Sequence, residues 1–145
     1  VSPILNYTTE VPVARTVHEI QGLLAKAGAR SIVADYDAGG AVVGLSFSVE
    51  TPHGMRGYAL PVQTKRVLAV LERDRVKPRY ASTEQADRVG WRILKDWVEA
   101  QLALLRTEMV TLDQVMLPYM ATGDGRTVYD LYLDQQLALP EGDRT

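Results

Sequence analysis

The chain has 145 residues, 46% of them hydrophobic and 23% charged, with a formal net charge of −2 and no cysteine. This size and balance describe one globular domain with room for a real core. No apolar run reaches the roughly 18 residues a membrane span needs, and the missing thiols exclude disulfides, thiolate metal sites and cysteine nucleophiles. The opening VSPILNYTTE lacks the basic and hydrophobic regions of a signal peptide, so a cytoplasmic protein is expected.

Taken in order, Ile4 to Glu10 has strand chemistry and Pro12 stops it. Thr16 with Glu19 reads as a capping box. Val17, Ile20, Leu23, Leu24 and Ala27 recur at helical spacing, and Gly28 suits the position just past a helix end, which predicts a helix over 14–27. Arg30 to Tyr36 reads as a second strand, ended by the turn Asp37–Gly40. Val43, Leu45, Phe47 and Val49 alternate with Gly44, Ser46, Ser48 and Glu50, a strand with one buried and one polar face. Thr51–Gly54 turns the chain, and Met55 to Leu60 pairs back as a fourth strand.

Helices follow. A short one is expected over 63–72, then a linker over 73–81 containing Pro78, then a long helix in the stretch Ser82 to Met109, opened by a capping box of Ser82 with Gln85. About 26 helical residues make a rod near 40 Å. On its wheel Glu84, Arg88, Arg92, Lys95, Asp96 and Glu99 share a polar wedge opposite Ala86, Val89, Ile93, Leu94, Trp97, Leu104 and Leu105. Trp91, Val98, Leu102 and Met109 widen the apolar arc around one flank, so a sheet can cover one side while another helix or subunit covers the other. Thr111 with Gln114 caps a shorter helix ending near Pro118, and Thr127 with Asp130 caps a last one over 127–136. The tail from Pro140 is expected to be loose. The resulting layout is a single α+β domain over 1–145: an antiparallel sheet of about four strands (β-α-β-β-β) with the first helix in 1–61, a helical part over 62–139, and a tail over 140–145.

Little of this sequence points to catalysis. His18 and His53 have no histidine partner at helical spacing, so no metal site is expected. Asp35 and Asp37 share a strand face and could pair around Mg²⁺ as in nucleases, but Val49-Glu50-Thr51 stands where a Glu-x-Lys would follow, and a turn-making role fits better. The glycine pairs lie in hairpins rather than before a helix, so they are no phosphate cradle. No cofactor and no enzymatic activity are expected.

The charge pattern is more informative. Residues 65–79 carry Lys65, Arg66, Arg73, Arg75, Lys77 and Arg79 against Glu72 and Asp74, while residues 108–145 hold seven acidic side chains against Arg126 and Arg144. The basic run leads through Tyr80 into Arg88, Trp91, Arg92 and Lys95. Cations that track a phosphate backbone beside aromatic faces that stack bases are what non-specific binding of single-stranded nucleic acid requires. Tyr7, Tyr36 and Tyr58 could add platforms from the open face of the sheet.

The segments at 11–29, 89–105 and 113–120, and above all W-R-x-x-K-D-W-V-E-A-Q-L-A-L from Trp91 to Leu104, resemble a family of small bacteriophage and prophage proteins. The likeness spans roughly residues 3 to 139. It implies a viral context, a host bacterial cytoplasm and a neighbourhood of phage replication and recombination functions; it brings no catalytic residue set. The expectation is a phage accessory protein that binds single-stranded DNA without sequence preference, as a homo-oligomer. The alternative is a protein-binding modulator of a host enzyme or defence system, with a host or phage protein as partner, that uses the apolar flank of the long helix and the acidic tail and has no affinity for nucleic acid.

Overall fold

The alternation of apolar with small polar residues after Ala41 produces β2 (Val42–Thr51), which a tight turn at Pro52 and His53 joins to β3 (Gly54–Ala59); β1 (Ser31–Tyr36) pairs along its other side. The computed structural model describes residues 2–135, and in it these strands form an antiparallel sheet in the order β1-β2-β3. Register is set by the buried set: Ile32 lies opposite Phe47 and Ala34 opposite Leu45, and Phe47 lies opposite Tyr58. Near the start of β2 the register shifts, Asp35 facing Gly44 and Tyr36 facing Val42. This bulge leaves Val43 unopposed and 47% exposed, although its place in the alternation predicts burial. The other face of the sheet carries Ser31, Val33, Asp35, Gly44, Ser46 and Ser48 and stays open. Along β3, Met120 bridges Tyr58 and the Ala121 amide donates to the Gly57 carbonyl, so that edge is covered.

The buried face of the sheet meets α1 (Val13–Lys26) and α3 (Thr83–Arg106). Helix α1 buries Val17, Ile20 and Leu24 and ends at Gly28, where φ is +103°. The amides of Gly28 and Ala29 close back on Ala25 and Leu24, the hydrogen-bond pattern that calls for a left-handed residue after the last turn. The capping box expected at Thr16 does not form: the helix begins after Pro12, and Thr16 is fully buried inside it. In α3, Ser82 accepts from the Gln85 amide as expected, but the Gln85 side chain turns away to another segment. Helix α4 (Leu112–Met116) has the complete reciprocal box between Thr111 and Gln114, and α5 (Val128–Gln135) starts where Thr127 and Asp130 bond each other. Gln136 and the tail from Pro140 lie outside the described residues.

The second flank of α3 is covered from within the chain. Helix α2 (Lys65–Arg73) crosses it at Gly90, where an added Cβ would stand 2.9 Å from Thr64 Cγ2 and 3.3 Å from Val67 Cγ2. The lone glycine of the long helix is therefore a close-approach site. The two tryptophans exchange their expected places: Trp91 is 1% exposed at the centre of the core, while Trp97 lies partly open, edge-on to Tyr119 with ring centres 5.6 Å apart.

The expected strand at Ile4–Glu10 is absent. Residues 5–8 form turns, with Asn6 at φ +65° and the Tyr7 and Thr9 amides donating to the Ile4 and Asn6 carbonyls. The segment lies as a strap across α3 and the α2–α3 connection. Gln85 Nε2 donates to the carbonyls of Tyr7 and Thr9, both at 2.9 Å, Asn6 Nδ2 to Asp96 at 2.8 Å, and the Ile4 amide to Asp74 at 3.0 Å. Tyrosine and threonine favour strands only where a sheet edge takes up their backbone groups; here a buried glutamine does so instead. Among the described residues the sheet therefore has three strands rather than four.

Candidate nucleic-acid interface

The basic run falls on the corner between α2 and α3, and local rules explain its shape. Helix α2 stops with the Val76 amide on the Leu71 carbonyl and the Arg75 amide on the Glu72 carbonyl, the same closing motif as at Gly28. Here the left-handed position is filled by Arg75, at φ +55°. A side chain with a Cβ costs roughly 1–2 kcal/mol in that conformation relative to the right-handed one. Pro78 then starts a 3-10 turn, Pro78–Tyr80, that delivers the chain to the Ser82 cap. Asp74 is spent on the Ile4 amide.

Around this corner Arg73, Arg75, Lys77 and Arg79 are all exposed, and none pairs with a carboxylate among the described residues. The Arg79 guanidinium stands 4.7 Å from the centre of the Tyr80 ring, and Tyr80 meets Tyr7 edge-on at 5.6 Å. Arg79, Tyr80 and Arg88 line an open cleft of about 250 Å³ whose other walls are Thr8, Thr9, Glu10 and Gln85. Arg88 is oriented there by its Nε donating to Gln85 Oε1 at 2.9 Å. Lys65 and Arg66 are exposed at the far end of α2, Arg66 donating to Gln63 at 2.7 Å. Tyr7, expected on the open face of the sheet, stands here instead against Tyr80, and the remaining walls, Thr8, Thr9, Glu10 and Gln85, are not named by composition or charge; the turn-formers Pro3, Asn6 and Pro12 around Thr8-Thr9 are the signal that could have marked a folded-back strap.

Three of the expected contacts are corrected. Trp91 is buried in the core and presents no face to a base. Arg92 is only 18% exposed because its guanidinium bonds Glu19 at 2.5 Å and Thr16 at 3.4 Å, tying α3 to α1. That hydrogen bond holds the Glu19 carboxyl below the ordinary glutamate range, against the opposing effect of burial. Lys95 is 16% exposed and pairs with Glu99 one turn on, at 3.3 Å. The polar wedge beyond Arg88 is thus spent within the chain. The aromatic platforms also scatter. Tyr58 is 1% exposed, and burial together with its 2.9 Å hydrogen bond to Asp113 drives its hydroxyl pKa up, whereas Tyr36 is 62% exposed at the far end of the sheet.

Other chemistry is sparse. Asp37 is a turn-maker, one carboxylate oxygen accepting from the Gly39 and Ala41 amides at 2.9 Å. Among the described residues no group of three or more His, Asp or Glu is gathered as a metal would require, and no helix is long and apolar enough to cross a membrane. A groove of about 420 Å³ runs between the β2–β3 hairpin and the C-terminal half of α3, floored by Leu24, Phe47, Leu102 and Leu105 and rimmed by His53 and Asp113. No protein-family model, curated protein or solved structure matches the chain.

Proposed function

We propose that the chain binds single-stranded DNA without sequence preference, as a homo-oligomer and an accessory protein of phage DNA replication or recombination. The observation that carries the reading is the α2–α3 corner. Four cations within seven residues stay in solvent without a carboxylate partner among the described residues, beside a tyrosine pair and the Arg79–Arg88 cleft. Arg75 adds support, because a strained backbone position held by a charged side chain where glycine would relax it is a signature of a functional constraint. The phosphate track runs from Arg73 to Arg79 and on to Arg88, with Lys65 and Arg66 extending it along α2, and Tyr80 is the stacking ring. The viral setting rests on the resemblance alone.

Fluorescence anisotropy with single- and double-stranded oligonucleotides at two salt concentrations tests this. Binding to the single strand is expected to weaken with a log–log salt slope of about −0.7 per phosphate contacted. Neutralising Arg73, Arg75, Lys77 and Arg79 together is expected to abolish it, and undiminished binding by that variant would overturn the assignment. A second reading, a protein-binding modulator of a host enzyme or defence system, draws on the apolar groove beside α3. Capture of one stoichiometric partner by a chain with no oligonucleotide affinity would favour it.

A further inference from the structure

The three-stranded sheet treats its two edges differently. The outer side of β3 is covered by Met120 and Ala121, whereas among the described residues nothing pairs with the outer side of β1. Which backbone groups β1 offers follows from its pairing. The Leu60 amide bonds the Leu45 carbonyl, so alternate residues from Leu45 point their amides and carbonyls at β3, and Ser46 and Ser48 point theirs at β1. Their partners Val33 and Ser31 are thereby engaged, and the amides and carbonyls of Ile32 and Ala34 face outward. Such an edge is a template for another strand, and proteins usually blunt it with lysine, proline or a covering segment. Over Ser31–Tyr36 there is neither lysine nor proline, the one charge is Asp35 and the bulge lies at the end of the strand, and Val33 and Tyr36 are 55% and 62% exposed on it.

We propose that this edge is the interface between two copies of the chain, β1 pairing with β1 antiparallel about a two-fold axis through Val33. The strand is self-complementary about that axis. In this register Ile32 of one copy stands opposite Ala34 of the other, so the outward amides and carbonyls of both residues are satisfied, and the two-fold repeats the exchange. On the open face Val33 meets Val33, and Ser31, a hydroxyl donor, faces Asp35, a carboxylate. Arg30, whose ion pair with Glu50 is solvent-exposed and long at 3.6 Å, faces the exposed ring of Tyr36, cation against aromatic. An unrelated strand would gain the backbone bonds without these side-chain matches. This gives a specific interface to the oligomer of the proposed function, since Trp91 and Val98, on the flank of α3 expected to take a second subunit, are buried in the chain's own core. Dimerisation joins two basic corners in one particle, which strengthens binding to a long strand by avidity.

The chain has no cysteine, so single introduced cysteines report the register without background. Val33 against Val33 is a non-hydrogen-bonded pair with Cα atoms about 4.5 Å apart, within disulfide reach. With diamide as oxidant, Val33→Cys is expected to give a covalent dimer, while Ser31→Cys and Ser46→Cys, which do not meet their own copies, stay monomeric on a non-reducing gel. Sedimentation equilibrium without DNA is expected to show a concentration-dependent dimer whose dissociation constant rises at least tenfold in Val33→Lys, with the far-ultraviolet circular dichroism unchanged. A wild-type chain that stays monomeric across the accessible concentration range, or cross-linking of Ser46→Cys as efficient as that of Val33→Cys, would overturn the interface. Because these readouts contain no nucleic acid, they fail separately from the DNA reading. A monomer that still binds oligonucleotide removes the dimer alone; a dimer that does not bind removes the DNA reading alone.

Discussion

Substituting Gly90 by alanine sets two effects against each other in a way the structure resolves. In an ordinary helix interior the change gains about 0.8–1.0 kcal/mol of helix propensity. Here the new methyl would stand 2.9 Å from Thr64 Cγ2 and 3.3 Å from Val67 Cγ2. Thr64 cannot swing aside freely, because its hydroxyl donates to Asp87 at 2.6 Å. Overfilling a close-packed contact costs about 1–3 kcal/mol, so Gly90→Ala is expected to destabilise by about 1 kcal/mol net. Thr64→Ser keeps the hydroxyl and removes the obstructing methyl. In that background Gly90→Ala is expected to be neutral or stabilising, a coupling of about 1 kcal/mol between the two sites. Urea unfolding followed by circular dichroism, with all four chains of the cycle and a check that the m-value is constant, measures it. If Gly90→Ala stabilises the wild-type background by the full propensity gain, or if the coupling is zero, α2 does not cross α3 at this glycine.

Other perturbations discriminate further features. Arg75→Gly relaxes the left-handed end of α2 and is expected to raise stability by about 0.5–1 kcal/mol in the same urea assay, while weakening single-strand binding in the anisotropy titration; a change that lowers both would refute the proposed trade. Trp91→Ala is expected to cost about 3–5 kcal/mol as a cavity in the core, and Trp97→Ala clearly less, the order opposite to that of a helical wheel. The Glu19 carboxyl has its pKa depressed in the folded state by Arg92, so its contribution is present above the ordinary glutamate value and is lost as pH falls through the depressed one. Wild-type stability is therefore expected to drop, as pH falls below the ordinary glutamate value, more steeply than that of Glu19→Gln; equal slopes in acid unfolding curves would show that the pair does not couple α1 to α3.

The sequence discloses most of the elements because their signals are local. The alternation through β2, Gly28 after α1, and the Thr111–Gln114 box each depend on neighbours a few residues away, and each recurs in the structure. What it misleads on is tertiary. Residues 4–10 have strand-forming side chains, but the groups that satisfy their carbonyls belong to Gln85, distant in the chain. The apolar arc of α3 is wide enough to admit either tryptophan to the core, and only the approach of α1, α2 and the sheet decides for Trp91. Arg92 looks solvated on a wheel because its partners Glu19 and Thr16 are not on that wheel. By contrast the exposure of Arg73 to Arg79 is legible, since Pro78 and the helix ends keep the segment on the outside.

The strap carries one further consequence. Tyr7 buttresses Tyr80, and the carbonyls of Tyr7 and Thr9 occupy an amide that is otherwise walled off from water. Peeling residues 4–9 away would strand that amide and unseat the ring next to Arg79 in the same movement. The opening segment and the cationic bend therefore behave as a latch and its catch, and a factor that grips one is felt at the other.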